Sequence, residues 1–174
     1  MIKKVVEEAL SEQINAELYS AYFYMSMGNY LNSIDLKGLA AWMSIQVQEE
    51  LMHASKFYNY IHERGGKISV KAIKAPPTDW DSPLALFEAT LAHEEKVTGL
   101  INNLVDIAIA EKDHATNNFL QWFVSEQVEE ESNVSDIVSK LRLIKGDSHA
   151  LFMIDKELGQ RVPLFTMPVQ GVTN

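Results

Sequence analysis

Helix-breaking residues are scarce in this chain, and their positions divide it into a few long segments. Only eight Gly and five Pro occur among its 174 residues. The apolar periodicity between them predicts four long helices and one short one: 4–33, from Asp35 to Gly65, from Ser82 to about Glu111, 114–145 and 148–160. Each long helix spans about 40 Å at 1.5 Å per residue. The sequence therefore predicts an all-α protein.

The lengths of the connections predict how these helices pack. Asp35 is a candidate N-cap for the second helix, and Pro83 stands where the first turn of the third helix begins. Short loops join the first helix to the second and the third to the fourth, so each pair is antiparallel. The segment 65–82, GGKISVKAIKAPPTDWDS, is long enough to cross the bundle. This arrangement is a four-helix bundle with one long crossover between helices 2 and 3.

We expect residues 1–174 to form one domain. The bundle takes up about 4–145, the short fifth helix about 148–160, and a C-terminal tail 161–174. Apolar and aromatic residues off the core stripes are expected at subunit interfaces, and these are Tyr22, Met27, Trp42 and Tyr58.

Composition excludes several classes of site and partner. The chain has no Cys, which removes disulfides, thiolate zinc sites and iron–sulfur clusters. A net charge of −9 gives no electrostatic basis for binding nucleic acid. No apolar run is long enough to span a membrane, and Glu7 and Glu8 interrupt the N-terminal segment where a signal peptide needs an apolar core. These features predict a cytoplasmic protein without a nucleic-acid or membrane partner.

Each long helix places at least one carboxylate on its apolar face. Successive residues turn an α-helix by about 100°, so Glu17 shares the face of Leu10 and Tyr24. On the second helix Glu50 lies on the apolar stripe and His53 lies at its edge. The third and fourth helices repeat the pattern with Glu94, Gln127 and Glu130.

The spacing of these residues is regular. Glu17 and Glu50 are 33 residues apart, and so are Glu94 and Gln127. A shift of 77 residues carries the first half of the pattern onto the second: Glu17, Glu49, Glu50 and His53 fall on Glu94, Glu126, Gln127 and Glu130. Two similar helix pairs are therefore related by an internal repeat. The repeat predicts that the inward carboxylates meet at one level of the bundle.

Buried carboxylates need compensation, since an unpaired buried ion costs several kcal/mol. No Lys or Arg occupies the matching inward turns. A pair of divalent metal ions would neutralise the cluster, and oxygen ligands with one imidazole suit Fe(II), Mn(II) and Zn(II). The alternative is a purely structural bundle whose acidic core no longer binds metal.

Four motifs carry a family resemblance: INAELYSAYFY, QVQEELMHASKFYNYI, AHEEK and WFVSEQVEEE. At these residues the chain resembles the haem-free ferritins of bacteria and archaea. The resemblance implies a ferritin-like bundle, a hollow shell of 24 identical subunits, and storage of iron as ferric mineral. It also implies a ferroxidase, which oxidises Fe(II) with dioxygen or peroxide.

The resemblance also implies metal ligands. Glu17, Glu50 and His53 would hold one iron, and Glu50 would bridge to a second iron. The second iron would be held by Glu94 and Glu130, with Gln127 beside it. Glu49, Glu126 and Glu129 match a third iron site that shares Glu130, although a solvated acidic face also explains these three residues.

The resemblance gives some neighbouring residues a role and leaves others without one. Tyr24 would hydrogen-bond a metal-bound group or donate an electron, and Trp122 is the matching aromatic residue on the fourth helix. Glu131 is expected to be solvated. The remaining histidines match no ligand pattern and are expected at the surface or in packing: His62, His93, His114 and His149.

Departures from related patterns separate the alternatives. Where many di-iron proteins repeat Glu-x-x-His, the fourth helix has Gln127-x-x-Glu130, which predicts weaker and more labile binding at the second iron. A haem-containing bacterioferritin would have that repeat, and a Met directly after Glu50 where this chain has Leu51. A di-iron oxidase or oxygenase without a storage shell stays open. The fifth helix either lines a four-fold axis of the shell or packs over the end of the bundle.

Overall fold

Five helices make up the regular structure of residues 1–164. The computed structural model describes residues 1–164, and the tail residues from 165 to 174 lie outside the described part. The helices are α1 (Lys4–Ser33), α2 (Lys37–Glu63), α3 (Pro83–Ala110), α4 (His114–Leu143) and α5 (Ser148–Leu158). Residues 1–164 contain no strand. The predicted all-α fold is confirmed, with α5 ending two residues earlier than expected.

The N-terminus of α3 is capped by a neighbouring residue as predicted, whereas the N-terminus of α2 is not. Ser82 caps α3 by accepting a hydrogen bond from the Ala85 amide at 3.1 Å, with Pro83 at the first helical position as predicted. Asp35 is not the N-cap of α2, because its φ of 61° belongs to the left-handed turn and Leu36 takes the cap position. The prediction for Asp35 was therefore wrong.

The N-terminus of α2 is capped by another helix. Asp155 of α5 accepts a hydrogen bond from the Leu39 amide at 2.8 Å, a contact that normally comes from a residue next to the helix. Gly38 allows this close approach, since a Cβ at that position would lie 1.7 Å from the Asp155 carbonyl oxygen. α5 is therefore docked on the end of the bundle at α2.

The crossover follows the bundle surface without regular structure between residues 66 and 82. Its first half is held to α1: the Lys67 amide donates to Glu7 at 2.9 Å, and Lys71 pairs with Glu12. Ile68 packs against the core, whereas Val70 is exposed. The crossover places α3 beside α1 so that the two antiparallel pairs close into one bundle.

Two apolar clusters fill the bundle, one at each end. One contains Leu10, Phe57, Ile101 and Phe123, and the other contains Tyr24, Met27, Leu31, Leu39, Trp42, Met43, Phe87, Val134 and Val138. On every long helix, the sequence passes from one cluster to the other through a short stretch of buried polar residues. The polar residues therefore form a layer across the middle of the bundle.

Two of the expected interface residues belong to this core. Met27 and Trp42 are buried, Met27 against Thr90 and Trp42 against Phe87 with ring centroids 5.5 Å apart. The prediction for these two was wrong because the apolar face of each helix is wider than a single stripe. Tyr22 and Tyr58 are exposed, so they remain available for an interface.

No helix within residues 1–164 is long and apolar enough to cross a membrane.

Candidate metal centre

Helices α1 and α2 bring three predicted ligands together in the polar layer. Glu17, Glu50 and His53 are all buried, and each offers one ligand atom within 4.8 Å of the other two. Three of their polar atoms have no hydrogen-bond partner: Glu17 Oε2, Glu50 Oε2 and His53 Nε2. Buried polar atoms without partners are uncommon, and oxygen and imidazole ligands of this kind suit a divalent metal ion. The residues therefore fit a metal.

Helices α3 and α4 supply the other half of the layer in a different form. Glu94 accepts a hydrogen bond from the Tyr24 hydroxyl at one oxygen and from Gln127 Nε2 at the other, 3.2 Å away. Glu130 accepts a hydrogen bond from Gln46 Nε2 at 2.9 Å. Amide and phenol groups thus satisfy these carboxylates, and Glu50, Glu94 and Glu130 do not converge as a second ligand group in the described part of the chain.

The layer is electrostatically strained when no cation is present. Burial, reinforced by neighbouring carboxylates, raises the pKa of Glu17 and of Glu50 well above the ordinary value. Burial likewise raises the pKa of Glu94, and it raises the pKa of Glu130 to about 8. Protonation or a bound cation relieves this strain.

The pKa of His53 is raised although the residue is buried. Burial alone lowers the pKa of His53, but the carboxylates of Glu126, Glu17 and Glu130 outweigh it and raise the pKa above the ordinary value. His53 Nδ1 lies 3.4 Å from Glu50 Oε2, and Nε2 lies 3.8 Å from Glu126 Oε1. The ring therefore sits between the central layer and the acidic residues beside it.

Sequence reasoning missed two amides that complete the layer. Gln13 donates to Glu17 at 2.9 Å, and Gln46 donates to Glu130 at 2.9 Å; both amides are buried. The two are 33 residues apart, the same spacing as Glu17 and Glu50. That spacing was the signal in the sequence. It was overlooked because an uncharged side chain on an apolar face raises no demand for compensation.

The residues matched to a third iron site lie beside the layer. Glu126 is near His53, Glu129 is exposed, and Glu49 is half-buried. Glu49 pairs with Arg161, whose Nη2 lies 2.8 Å from both carboxylate oxygens. Nothing in the sequence links Arg161 to Glu49, because the two are 112 residues apart and meet only after α5 has docked.

Two further expectations can be compared with the geometry. Glu131 is not simply solvated: it is half-buried and accepts a hydrogen bond from Thr98, so that expectation was wrong. Trp122 packs edge-on against His53, with ring centroids 5.5 Å apart, and the ammonium of Lys56 lies 4.0 Å from the Trp122 ring centroid. Trp122 is therefore in direct contact with the candidate ligand His53.

His93 is a packing residue, as expected. Its ring lies against Tyr19 and Phe23, and Nε2 is 2.8 Å from the Ser20 hydroxyl. Burial lowers the pKa of His93 to about 4. His93 is therefore a neutral imidazole, and it lies outside the ligand cluster.

A four-helix bundle that buries carboxylates from all four helices at one level belongs to the class of carboxylate metal-site bundles. Comparison with known proteins defines the family. The ferritin-like domain matches residues 7–144. The chain is 46% identical to a bacterial non-haem ferritin of Bacteroides fragilis over 161 residues, which cover 92% of this chain and 100% of that protein.

Further relatives agree. A bacterial non-haem ferritin of Staphylococcus aureus is 42% identical, with 92% of this chain and 97% of that protein covered. The chain is 55% identical in sequence to an open-pore ferritin from the hyperthermophilic archaeon Archaeoglobus fulgidus. It superposes on the crystal structure of that protein with a TM-score of 0.92, and the match covers 93% of this chain and 100% of that one. The chain belongs to the ferritin family. Its expected function in iron storage is confirmed.

Proposed function

We propose that this ferritin oxidises Fe(II) in its polar layer and passes the ferric product into a shell of identical subunits. One observation carries the proposal: Glu17, Glu50 and His53 converge in the core, and three of their buried ligand atoms have no hydrogen-bond partner. Iron is the substrate and cargo in this scheme. Each Fe(II) gives up one electron, and dioxygen or peroxide takes two.

The ligands divide between two iron positions. Glu17, Glu50 and His53 hold the first iron, and Glu50 reaches toward the second, where Glu94 and Glu130 are the charged ligands. Gln127 contributes an uncharged amide and Glu130 a carboxylate, so the second position has the same ligand charge as a repeated Glu-x-x-His but carries no imidazole. That asymmetry favours binding that is weak enough to release the oxidised ion.

The protons of the layer take part in loading. The raised pKa of Glu130 and of Glu50 keeps part of the layer protonated when no metal is bound. A metal ion binds the deprotonated carboxylate, so loading releases protons. The protein therefore exchanges protons for iron without leaving uncompensated charge in its core.

Storage follows from assembly. The chain forms a homo-oligomer in this proposal, with 24 subunits in a hollow shell, as expected from the resemblance. Exposed apolar side chains on the outer faces of α1 and α2 supply contact area, among them Tyr22, Met25, Leu51 and Tyr58. Glu49, Glu126 and Glu129 form a third iron position between the layer and the surface.

The oxidation test compares ligand variants with a surface control. Glu50→Gln removes the shared ligand, and Glu17→Gln removes one ligand of the first iron only. We expect both to slow Fe(II) oxidation in air by at least about tenfold. Glu88→Gln changes an exposed carboxylate that pairs with Arg142, and its rate should match wild type. Unchanged rates in both ligand variants would overturn the oxidation site.

The storage test uses size-exclusion chromatography after excess Fe(II) is added in air. Ferric iron should elute with protein near the mass of 24 chains of 19.7 kDa, roughly 470 kDa. Elution as a small species with only two or three irons per chain would contradict the shell and favour a di-iron oxidase without storage.

A further inference from the structure

Arg161 reaches back to the bundle from the segment after α5. Its Nη2 lies 2.8 Å from both carboxylate oxygens of Glu49, and its Nη1 donates to Gln46 Oε1. The guanidinium carbon lies 5.1 Å from the ring centroid of Trp42. The side chain of Arg161 is 26% exposed and that of Glu49 is 13% exposed, so the pair is shielded from water more than an ordinary surface ion pair is.

Gln46 links this ion pair to the metal centre. A guanidinium has only donors, so the amide of Gln46 must turn its oxygen toward Arg161. Its Nε2 then faces inward and donates to Glu130 Oε2 at 2.9 Å. Arg161 thereby occupies Glu49 directly and fixes the hydrogen bond to Glu130 through one intervening residue.

We propose that Arg161 holds the place of a cation at Glu49 and thereby limits metal binding at the third iron position. The inference rests on the proposed function, since it concerns regulation of the same site. A metal ion that takes Glu49 as a ligand competes with the guanidinium, because Arg161 Nη2 already contacts both carboxylate oxygens and the two cations repel each other. The third position is therefore filled after the central pair.

A purely structural role would look different. If Arg161 served only to hold the C-terminal segment on α2, its loss would lower the melting temperature and leave metal affinity unchanged. If it competes for Glu49, its loss makes the carboxylate available and strengthens binding there. The two roles therefore differ in a binding measurement that requires no catalysis.

The test is a calorimetric titration of the metal-free full chain with Zn²⁺, which undergoes no redox reaction. Wild type should show two tight events per chain, of which the one at the second iron position is the less tight, and one weaker event at the third position. Arg161→Gln should tighten the weaker event about tenfold, equivalent to about 1.4 kcal/mol, and leave the event at Glu17, Glu50 and His53 unchanged. Arg142→Gln, which removes an exposed arginine paired with Glu88, is the matched control and should behave as wild type.

A double variant assigns the effect to its carboxylate. Adding Glu49→Gln to Arg161→Gln should abolish the strengthened event. A weaker event that stays the same or weakens in Arg161→Gln overturns the proposal, while tight events that are already absent in wild type overturn the proposed function instead.

If Arg161→Gln does not assemble, the proposal is tested on crystals of the wild-type protein. A Zn²⁺-soaked crystal should then show Arg161 turned away from Glu49 wherever the third position is filled. A filled third position with the Arg161–Glu49 pair intact would overturn the proposal.

Discussion

Gln127 Nε2 donates a hydrogen bond to Glu94 Oε2 across 3.2 Å, and this contact makes the two halves of the candidate metal centre unequal. In the other half, Glu50 stands at the equivalent position of the internal repeat, and its Oε2 has no hydrogen-bond partner although His53 Nδ1 lies 3.4 Å away. An amide can satisfy a carboxylate through a hydrogen bond but adds no charge for a metal. The same layer thus combines one open ligand group with one that is already hydrogen-bonded.

Restoring the repeat should make the proposed second iron position retain its iron for longer. Gln127→Glu combined with Glu130→His recreates on α4 the Glu-x-x-His of α2 and adds an imidazole to the second position. We expect loss of iron to a chelator under anaerobic conditions to slow by about tenfold or more. Gln121→Glu, an exposed change on the same helix, controls for the added carboxylate, and unchanged retention in the double variant would refute this account of the asymmetry.

The metal-free protein should lose stability as the pH rises. A carboxyl whose pKa is raised in the folded state stabilises the fold fully below its unfolded pKa, and that contribution disappears as the pH passes the folded pKa. For Glu130 the window extends from the ordinary range near 4.5 to about 8. The melting temperature in chelator should therefore decline across this range, and Glu130→Gln should flatten the decline.

The same window gives a second readout. Zn²⁺ should remove most of the decline and release protons, measurable by calorimetry in buffers of different ionisation enthalpy. A wild-type pH profile that coincides with the Glu130→Gln profile would show that Glu130 does not titrate in this way.

Docking of α5 should depend on the absence of a side chain at Gly38. A Cβ there would meet the Asp155 carbonyl oxygen at 1.7 Å, so Gly38→Ala must displace α5 and lose the cap on Leu39. We expect a loss of about 1–3 kcal/mol in thermal or chemical unfolding. Gly99→Ala is the matched control, because nothing lies within 4 Å of a Cβ at that position, and it should stabilise α3 by about 0.5–1 kcal/mol.

Tyr24 should affect oxidation more than binding. Tyr24→Phe keeps the buried ring but removes the hydroxyl that donates to Glu94. We expect Zn²⁺ stoichiometry to persist and Fe(II) oxidation to slow by about tenfold. Tyr22→Phe alters an exposed tyrosine on the same helix and should leave the oxidation rate unchanged. Equal oxidation rates in the two variants would show that Tyr24 has no role in oxidation.

The helices and the inward carboxylates could be predicted from sequence because both depend on local periodicity. The turn of 100° per residue places Glu17 and Glu94 on apolar faces whatever the partner helices are. The cap on α2 could not be predicted in the same way. Leu39 is capped by Asp155, which is distant in sequence and arrives only through tertiary docking.

The same distinction explains the remaining errors at the site. Arg161 meets Glu49 across 112 residues, so no local pattern reports the contact. Met27 and Trp42 were assigned to the surface from helix angle alone, but neighbouring helices cover more of α1 and α2 than one stripe. A centre made by four helices can be located from its charges, whereas its hydrogen-bonded neighbours depend on the packed bundle.

The most direct test of the metal centre is anomalous diffraction at the iron edge from crystals loaded anaerobically with Fe(II). We expect two peaks per chain in the polar layer, one among Glu17, Glu50 and His53 and one between Glu50, Glu94 and Glu130. Iron found only at the protein surface, with the polar layer empty, would contradict the assignment of this layer as the oxidation site.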